Sequence, residues 1–397
     1  MKLVAIILAM LLAAGASGTQ AHVHVQRKSG SLADFYISSD SVKLDVAAGG
    51  RQIKSDAPLR YVDLHFGPRH RTEQNTPISS FYRYTHQWPG AYFEGAFDGK
   101  VLTLRFADNV NIYRLSIDDQ VATTINKPGN SEYRIDNLKN GTHTVRLDTL
   151  TESVAAPGSF EGFYIPPNET ALPPPPTHSN QIEIIGDSYA AGYGTLSAKH
   201  ECTQDEIHDT TDTQQAFGPL LAKHYDADYQ INAVSGIGMV RNYDGSNGPV
   251  IPDIYPYTLF DKSVSYNDPS WQPQVVVIAL GDNDFATPVK TGEKWADAAA
   301  LRADFIATYV TFVKGVRAKN ARATFILMDY NEDTLPATLA EIAAELKAQG
   351  ETRVLLYHPG GGPFEQTGCD WHLSLNDHKR LASGLEAFID AQSDIWK

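Results

Sequence analysis

Between residues 165 and 181 the chain reads IPPNETALPPPPTHSNQ, and six of those residues are proline. Proline fixes its own φ and has no N–H to donate, so such a run enters neither a helix interior nor a central strand. It reads as a stiff linker over residues 166–181. Each side must then close its own core, and a chain of 397 residues is long enough for two domains.

The two sides follow different rhythms. Residues 29–165 are β-rich: KVLTLRF (100–106), YRLSID (113–118) and HTVRLDTL (143–150) alternate apolar and polar positions. That period puts one face of each strand on a core and the other in solvent. KNGT (139–142) carries the Asn-Gly pair that suits a tight hairpin. The pattern predicts a β-sandwich of jelly-roll type. Residues 182–397 instead alternate short apolar runs (182–185, 229–234, 275–280, 323–328, 353–357) with helical patterns such as 295–316 and 374–391. Runs apolar on both faces suit parallel strands covered by helices. The whole is predicted to be α/β, with a C-terminal three-layer α/β/α domain on a parallel sheet behind an N-terminal sandwich.

The first 21 residues begin with Lys2, continue through an apolar run over 3–14, and end in small residues with cuts available after Ala16 or Ala21. This is the layout of a secretory leader, and the run is shorter than the ~20 residues that span a bilayer. A cut after Ala21 would expose His22 in HVHV, read as a mobile leader. The chain is expected to be secreted or periplasmic, with no membrane attachment after leader removal, and monomeric. The net charge of −14, with no block of Lys or Arg, excludes nucleic acid and anionic lipid as partners. An even count of two cysteines in an exported chain reads as a disulfide between Cys202 and Cys369, with two buried thiols as the alternative.

In open α/β sheets the site forms where strands end. The first predicted strand ends in Gly186-Asp187-Ser188, the second in SGIGMVRNYDG (235–245), and the third in GDND (281–284); GCDWH (368–372) follows the fifth. Together these supply what acyl transfer needs. Ser188 is the candidate nucleophile and His372 the candidate base. The Ser188 N–H, the Gly236 N–H and the Asn283 amide are candidate oxyanion donors. Asp370, two residues before His372, would share its side in an extended segment and orient the ring. Trp371 is either core or a surface for stacking a sugar, and Arg241, Asn242 and Tyr243 are candidate substrate contacts. Asp187 reads as structural. Asp282 and Asp284 read as local hydrogen-bonding groups, and no metal or other cofactor is expected.

These four blocks, in this order, resemble those of the SGNH (GDSL) hydrolases. The likeness extends to ECT at 201, TTDTQQAFGPLLAKHYDADYQINAVSG from 210, WQPQVVVIALGDNDFATP from 271, GCDWH and QWPGAYFEGAF at 87–97. In these the chain is similar to carbohydrate esterase family 2. That resemblance implies a jelly roll joined to an SGNH-type domain and removal of acetyl groups from plant polysaccharides, so the expected partner is an acetylated polysaccharide or oligosaccharide. It also implies that the histidine is oriented either by an acid or by a main-chain carbonyl. Members often carry Arg where Ile237 stands and Pro where Leu373 stands, differences that touch substrate detail. Two other functions compete: a lipase or thioesterase, distinguished by acyl-chain length, and a glycan-binding module with a vestigial site, using aromatics such as Trp88 and Tyr92.

Overall fold

The alternating segments before the proline run form two facing sheets, antiparallel apart from a short pairing of Lys43–Leu44 with Gln120–Asn126. The computed structural model describes residues 21–27, 32–37, 43–44, 59–67, 69–74, 82–330 and 335–397, so the expected leader lies outside it apart from Ala21. Leu102–Asp108 sits between Gly129–Asp136 and Gly158–Ile165 in one sheet, and Ile112–Ile117 pairs with Gly141–Thr149 in the other. Their inward residues, among them Leu104, Phe106, Leu115, Leu147, Phe160 and Phe163, are fully buried in one cluster. Burial stabilises each such side chain by about 1.5–3 kcal/mol.

The fold departs from the sequence expectations at three places. HVHV (22–25), read as a mobile leader ahead of a domain starting at 29, lies within the strand Ala21–Arg27, which pairs with Gly129–Asp136. The Asn140-Gly141 pair does not close a hairpin, because the flanking strands Gly129–Asp136 and Gly141–Thr149 belong to different sheets. A tight turn forms instead at Asp118 and Asp119, both at positive φ (51° and 61°), where aspartate is tolerated better than most side chains. The Asp118 carboxylate also accepts the Thr144 N–H at 3.0 Å. Finally, Thr170–Leu172 inside the proline-rich segment pairs with Tyr92–Gly99. The prolines bracket these three residues and leave their N–H groups free to bond.

Beyond the linker, five parallel strands lie in the spatial order Ala227–Ala233, Asn180–Gly186, Val275–Ala279, Thr324–Met328, Val354–Tyr357. Alternate residues face opposite layers. Ile182, Ile184, Val275 and Val277 pack with helices Phe217–His224 and Leu375–Asp390, while Ile185, Val276 and Ile278 pack with Ala298–Lys319 and Leu335–Ala348. The strand order reverses at Asn180–Gly186, which places a crevice at that strand's carboxyl end.

The two domains are tightly joined. Trp88 and Tyr92, named above as a glycan-facing surface, are each 1% exposed. Trp88 donates to the Tyr257 carbonyl (3.3 Å) and Tyr92 to Asp228 (2.8 Å), so both belong to the domain interface. Arg69 is buried beside them, donating to Glu183 on the first parallel strand (3.1 Å) and to Gln230 (3.2 Å), with its guanidinium over the rings of Tyr255 and Tyr266. Removing one member of such a pair leaves a buried charge uncompensated.

Candidate active site

The strand Asn180–Gly186 runs straight into a four-residue helix, Ser188–Ala191. Asp187 caps it by accepting the Tyr189 N–H at 3.1 Å. The N–H of Ser188, at the first helical position, has no intrahelical acceptor. His372 arrives from the other end of the domain, between the turn Cys369–Trp371 and helix Leu375–Asp390, whose start is fixed by a reciprocal Ser374–Asp377 cap.

Nε2 of His372 lies 2.8 Å from Ser188 Oγ, and Nδ1 lies 2.8 Å from the carbonyl oxygen of Cys369. A carbonyl only accepts, so Nδ1 carries the proton and Nε2 offers its lone pair to the serine hydroxyl. The imidazole contacts the rings of Tyr193 (centroids 4.3 Å apart) and Tyr189 (5.2 Å). Burial pushes its pKa below the ordinary histidine value, and the Cys369 carbonyl and the Asp370 charge offset this only in part.

Asp370 does not orient the ring. The expectation assumed an extended segment, but residues 369–371 form a tight turn in which Asp370 and Trp371 both have positive φ (51° and 59°). The turn presents the Cys369 carbonyl to Nδ1 and swings the Asp370 carboxylate to the Tyr193 hydroxyl, 2.8 Å away. Asp370 therefore reaches the imidazole through Tyr193.

The two cysteines are bonded to each other, with Cα atoms 5.5 Å apart. The bond ties the loop after Ser188 to the turn that carries the Cys369 carbonyl. Gly194, at φ 57°, closes the same junction: a Cβ there would stand 2.5 Å from that of Cys369, and the Gly194 carbonyl accepts the Cys369 N–H at 3.3 Å.

Gly236 has φ 77°, a conformation side chains disfavour, and its carbonyl accepts the Tyr243 N–H at 2.9 Å. Among the described residues, the N–H groups of Ser188 and Gly236 have no acceptor. Asn283 differs: its amide donates to the Ile237 carbonyl (2.9 Å) and to Asp187 (3.2 Å). Both amide protons are thus engaged, and serving an oxyanion requires exchanging one of these bonds. The Asp187 carboxyl is held well above the usual range by burial and by nearby Asp282.

The loop after the second strand is a structural device that the sequence reading assigned to substrate. Asp284 accepts the N–H groups of Met239 (2.8 Å), Val240 (2.7 Å) and Arg241 (2.8 Å). Arg241, 2% exposed, spends its guanidinium on Glu293, Thr287 and main-chain carbonyls. Asn242 is also buried, bonding the Gly238 N–H (3.1 Å) and the Pro249 carbonyl (3.2 Å). Neither side chain is available to a ligand. Tyr243 and Trp371 are exposed, at 55% and 57%, so Trp371 is not core; its indole lies 4.9 Å from the His200 ring. Asp284 was expected to bond locally and does so through the 239–241 N–H groups, whereas Tyr189 and Tyr193 were not singled out from the sequence. Tyr189 and Tyr193 sit within the block that carries Ser188, and that proximity was the one available signal.

Two family models match the chain: "Carbohydrate esterase 2 N-terminal" over residues 78–175 and "GDSL-like Lipase/Acylhydrolase family" over residues 184–381. An acetylxylan esterase / glucomannan deacetylase of Cellvibrio japonicus is 44% identical over 338 residues, covering 84% of this chain and 92% of that protein. Among solved structures, a carbohydrate esterase described as having divergent catalytic and non-catalytic binding functions superposes with TM-score 0.78 at 42% identity, covering 85% of this chain and 100% of that one. A family two carbohydrate esterase from Clostridium thermocellum, solved with cellohexaose, shares the fold with TM-score 0.71 at 24% identity, covering 83% and 98%.

Proposed function

This chain belongs to carbohydrate esterase family 2 of the GDSL-like hydrolases, and from that membership we propose that it removes O-acetyl groups from plant polysaccharides of the xylan or glucomannan type. The observation that carries the mechanism is the chain of contacts Ser188 Oγ, His372 Nε2, His372 Nδ1, Cys369 carbonyl, with each hydrogen bond at 2.8 Å.

Ser188 Oγ attacks the acetyl carbonyl carbon while its proton passes to His372 Nε2. The imidazolium so formed keeps its other N–H on the Cys369 carbonyl. The negative charge on the carbonyl oxygen falls to the N–H groups of Ser188 and Gly236, with Asn283 as the third donor. The bond to the sugar oxygen then breaks, and His372 returns the proton to that oxygen. Water, deprotonated by the same nitrogen, attacks the acetyl carbon; the bond to Ser188 Oγ breaks, His372 returns the proton to that oxygen, and acetate leaves. Trp371 and Tyr243 offer exposed rings on which the sugar backbone rests.

We place the protein outside the cytoplasm, secreted or periplasmic. The Cys202–Cys369 bond suits an oxidising compartment, and no helix of the described residues is long and apolar enough to cross a membrane. The test of function is acetate release from acetylated xylan, glucomannan and pectin, measured side by side with the Ser188→Ala variant. Release from xylan or glucomannan that depends on Ser188 supports the proposal, and release confined to long-chain esters refutes it.

A further inference from the structure

The residue next to Gly236, a candidate oxyanion donor, is gripped by a side chain from the other domain. Glu152 lies just past the sandwich strand Gly141–Thr149, yet its carboxyl reaches Ser235, the residue before Gly236. One oxygen accepts the Ser235 N–H at 2.8 Å, and the other is hydrogen-bonded to Ser235 Oγ. The carboxyl is mounted on a fixed platform. Thr151 accepts the Ile112 N–H (2.9 Å), Ser153 donates to Asn111 (2.8 Å), and the Leu150 carbonyl accepts the Thr213 N–H (2.9 Å).

The 235–241 loop is therefore anchored at both ends. Asp284 of its own domain holds residues 239–241, and Glu152 of the sandwich holds residue 235. Between these anchors stands Gly236, at φ 77°, a residue whose own backbone freedom makes its direction depend on how its neighbours are held. An oxyanion donor acts through its direction, and a displacement of about 1 Å can cost up to about 100-fold in rate.

We propose that Glu152 is a positioning residue: it fixes the Ser235–Gly236 turn so that the Gly236 N–H faces the developing oxyanion, and the sandwich domain thereby completes the active site. This rests on the Ser188 reading above. The role is confined to the transition state, so it predicts a loss in kcat and little change in KM.

The experiment uses the full chain and a small acetyl ester, with Ser188→Ala as the control and melting temperature as the check on folding. Glu152→Ala is expected to lower kcat about 10- to 100-fold with KM within about twofold. Glu152→Gln should keep kcat within about fivefold, because a carboxamide can accept from the Ser235 N–H and donate to its hydroxyl. Ser235→Ala and Glu152→Ala should combine non-additively. Should Glu152→Ala fail to fold, Ser235→Ala carries the test: a lowered kcat at constant KM supports the assignment and an unchanged kcat overturns it. Wild-type kcat in folded Glu152→Ala, a change in KM alone, or damage from Gln equal to that from Ala would each overturn it. Activity in Ser188→Ala would defeat the underlying reading and this assignment together; an inert Ser188→Ala beside a fully active Glu152→Ala defeats this assignment alone.

Discussion

The Cys369 carbonyl oxygen lies 2.8 Å from His372 Nδ1, and the side chain of the same cysteine is bonded to Cys202. The group that orients the imidazole is thus main-chain, and its position is fixed by a covalent link spanning 167 residues of sequence.

Breaking that link should damage catalysis as well as stability. Cys202→Ala leaves the Cys369 carbonyl in the chain but frees the turn that aims it. Loss of a native disulfide typically costs about 2–5 kcal/mol, and the looser ring should lower kcat about tenfold or more. Thermal unfolding and kinetics on a small acetyl ester, with reduced wild type as a second sample, measure both. A variant with wild-type kcat would show that the carbonyl holds its place without the bridge.

Replacing Asp370 should be mild and should resemble replacing Tyr193. The carboxylate touches the Tyr193 hydroxyl and not the imidazole, so Tyr193→Phe removes that contact while Asp370→Asn removes its charge and leaves an oxygen able to accept. Each is expected to lower kcat/KM only severalfold, against a loss of several orders of magnitude for His372→Ala. Equal losses for Asp370→Asn and His372→Ala would restore the carboxylate to a direct role.

The pH profile follows from burial of the base. The active form of His372 is neutral, and burial lowers its pKa from the ordinary histidine value of about 6.5. As pH rises through that lowered value the neutral fraction grows, so kcat/KM should rise with a midpoint below about 6.5 and then level off. Removing the Asp370 charge, which favours the protonated ring, should move the limb slightly further down. A limb with its midpoint above the ordinary value would contradict this.

Two loop residues should separate binding from architecture. Trp371→Ala should raise KM on acetylated polysaccharide while sparing turnover of a small acetyl ester, since the indole is exposed beside the base. Arg241→Ala should lower the melting temperature, because its guanidinium is consumed by Glu293, Thr287 and main-chain carbonyls. A rise in KM for Arg241→Ala without a change in melting temperature would return that residue to the substrate.

The legible part of this protein was the part where local chemistry dictates residue type. Buried parallel strands must be apolar on both faces, so the runs at 182–185 and 275–280 announced Asn180–Gly186 and Val275–Ala279. Acyl transfer needs a hydroxyl, a base and donors at strand ends, which singled out Ser188 and His372 as candidates, and the fold brings Ser188 Oγ and His372 Nε2 to 2.8 Å. What stayed hidden depends on contacts far apart in the chain. Nothing near Arg241 in sequence reveals Glu293, and nothing near Glu152 reveals Ser235. The Asp370 error came from assuming an extended backbone where the chain turns through two positive-φ residues. The misplaced hairpin at Asn140-Gly141 came from a turn signal that does not say whether the next strand joins the same sheet.

The central claim is that Ser188 carries the acetyl group. It is tested most directly by quenching the enzyme in acid during steady-state turnover of a small acetyl ester, then mapping acetylation by peptide mass spectrometry. The expected result is an acetylated peptide whose modified residue is Ser188, absent from Ser188→Ala, together with a loss of turnover in that variant of about 10⁴-fold or more. Near-normal turnover by purified, folded Ser188→Ala, or acetyl found on a different residue, would contradict it.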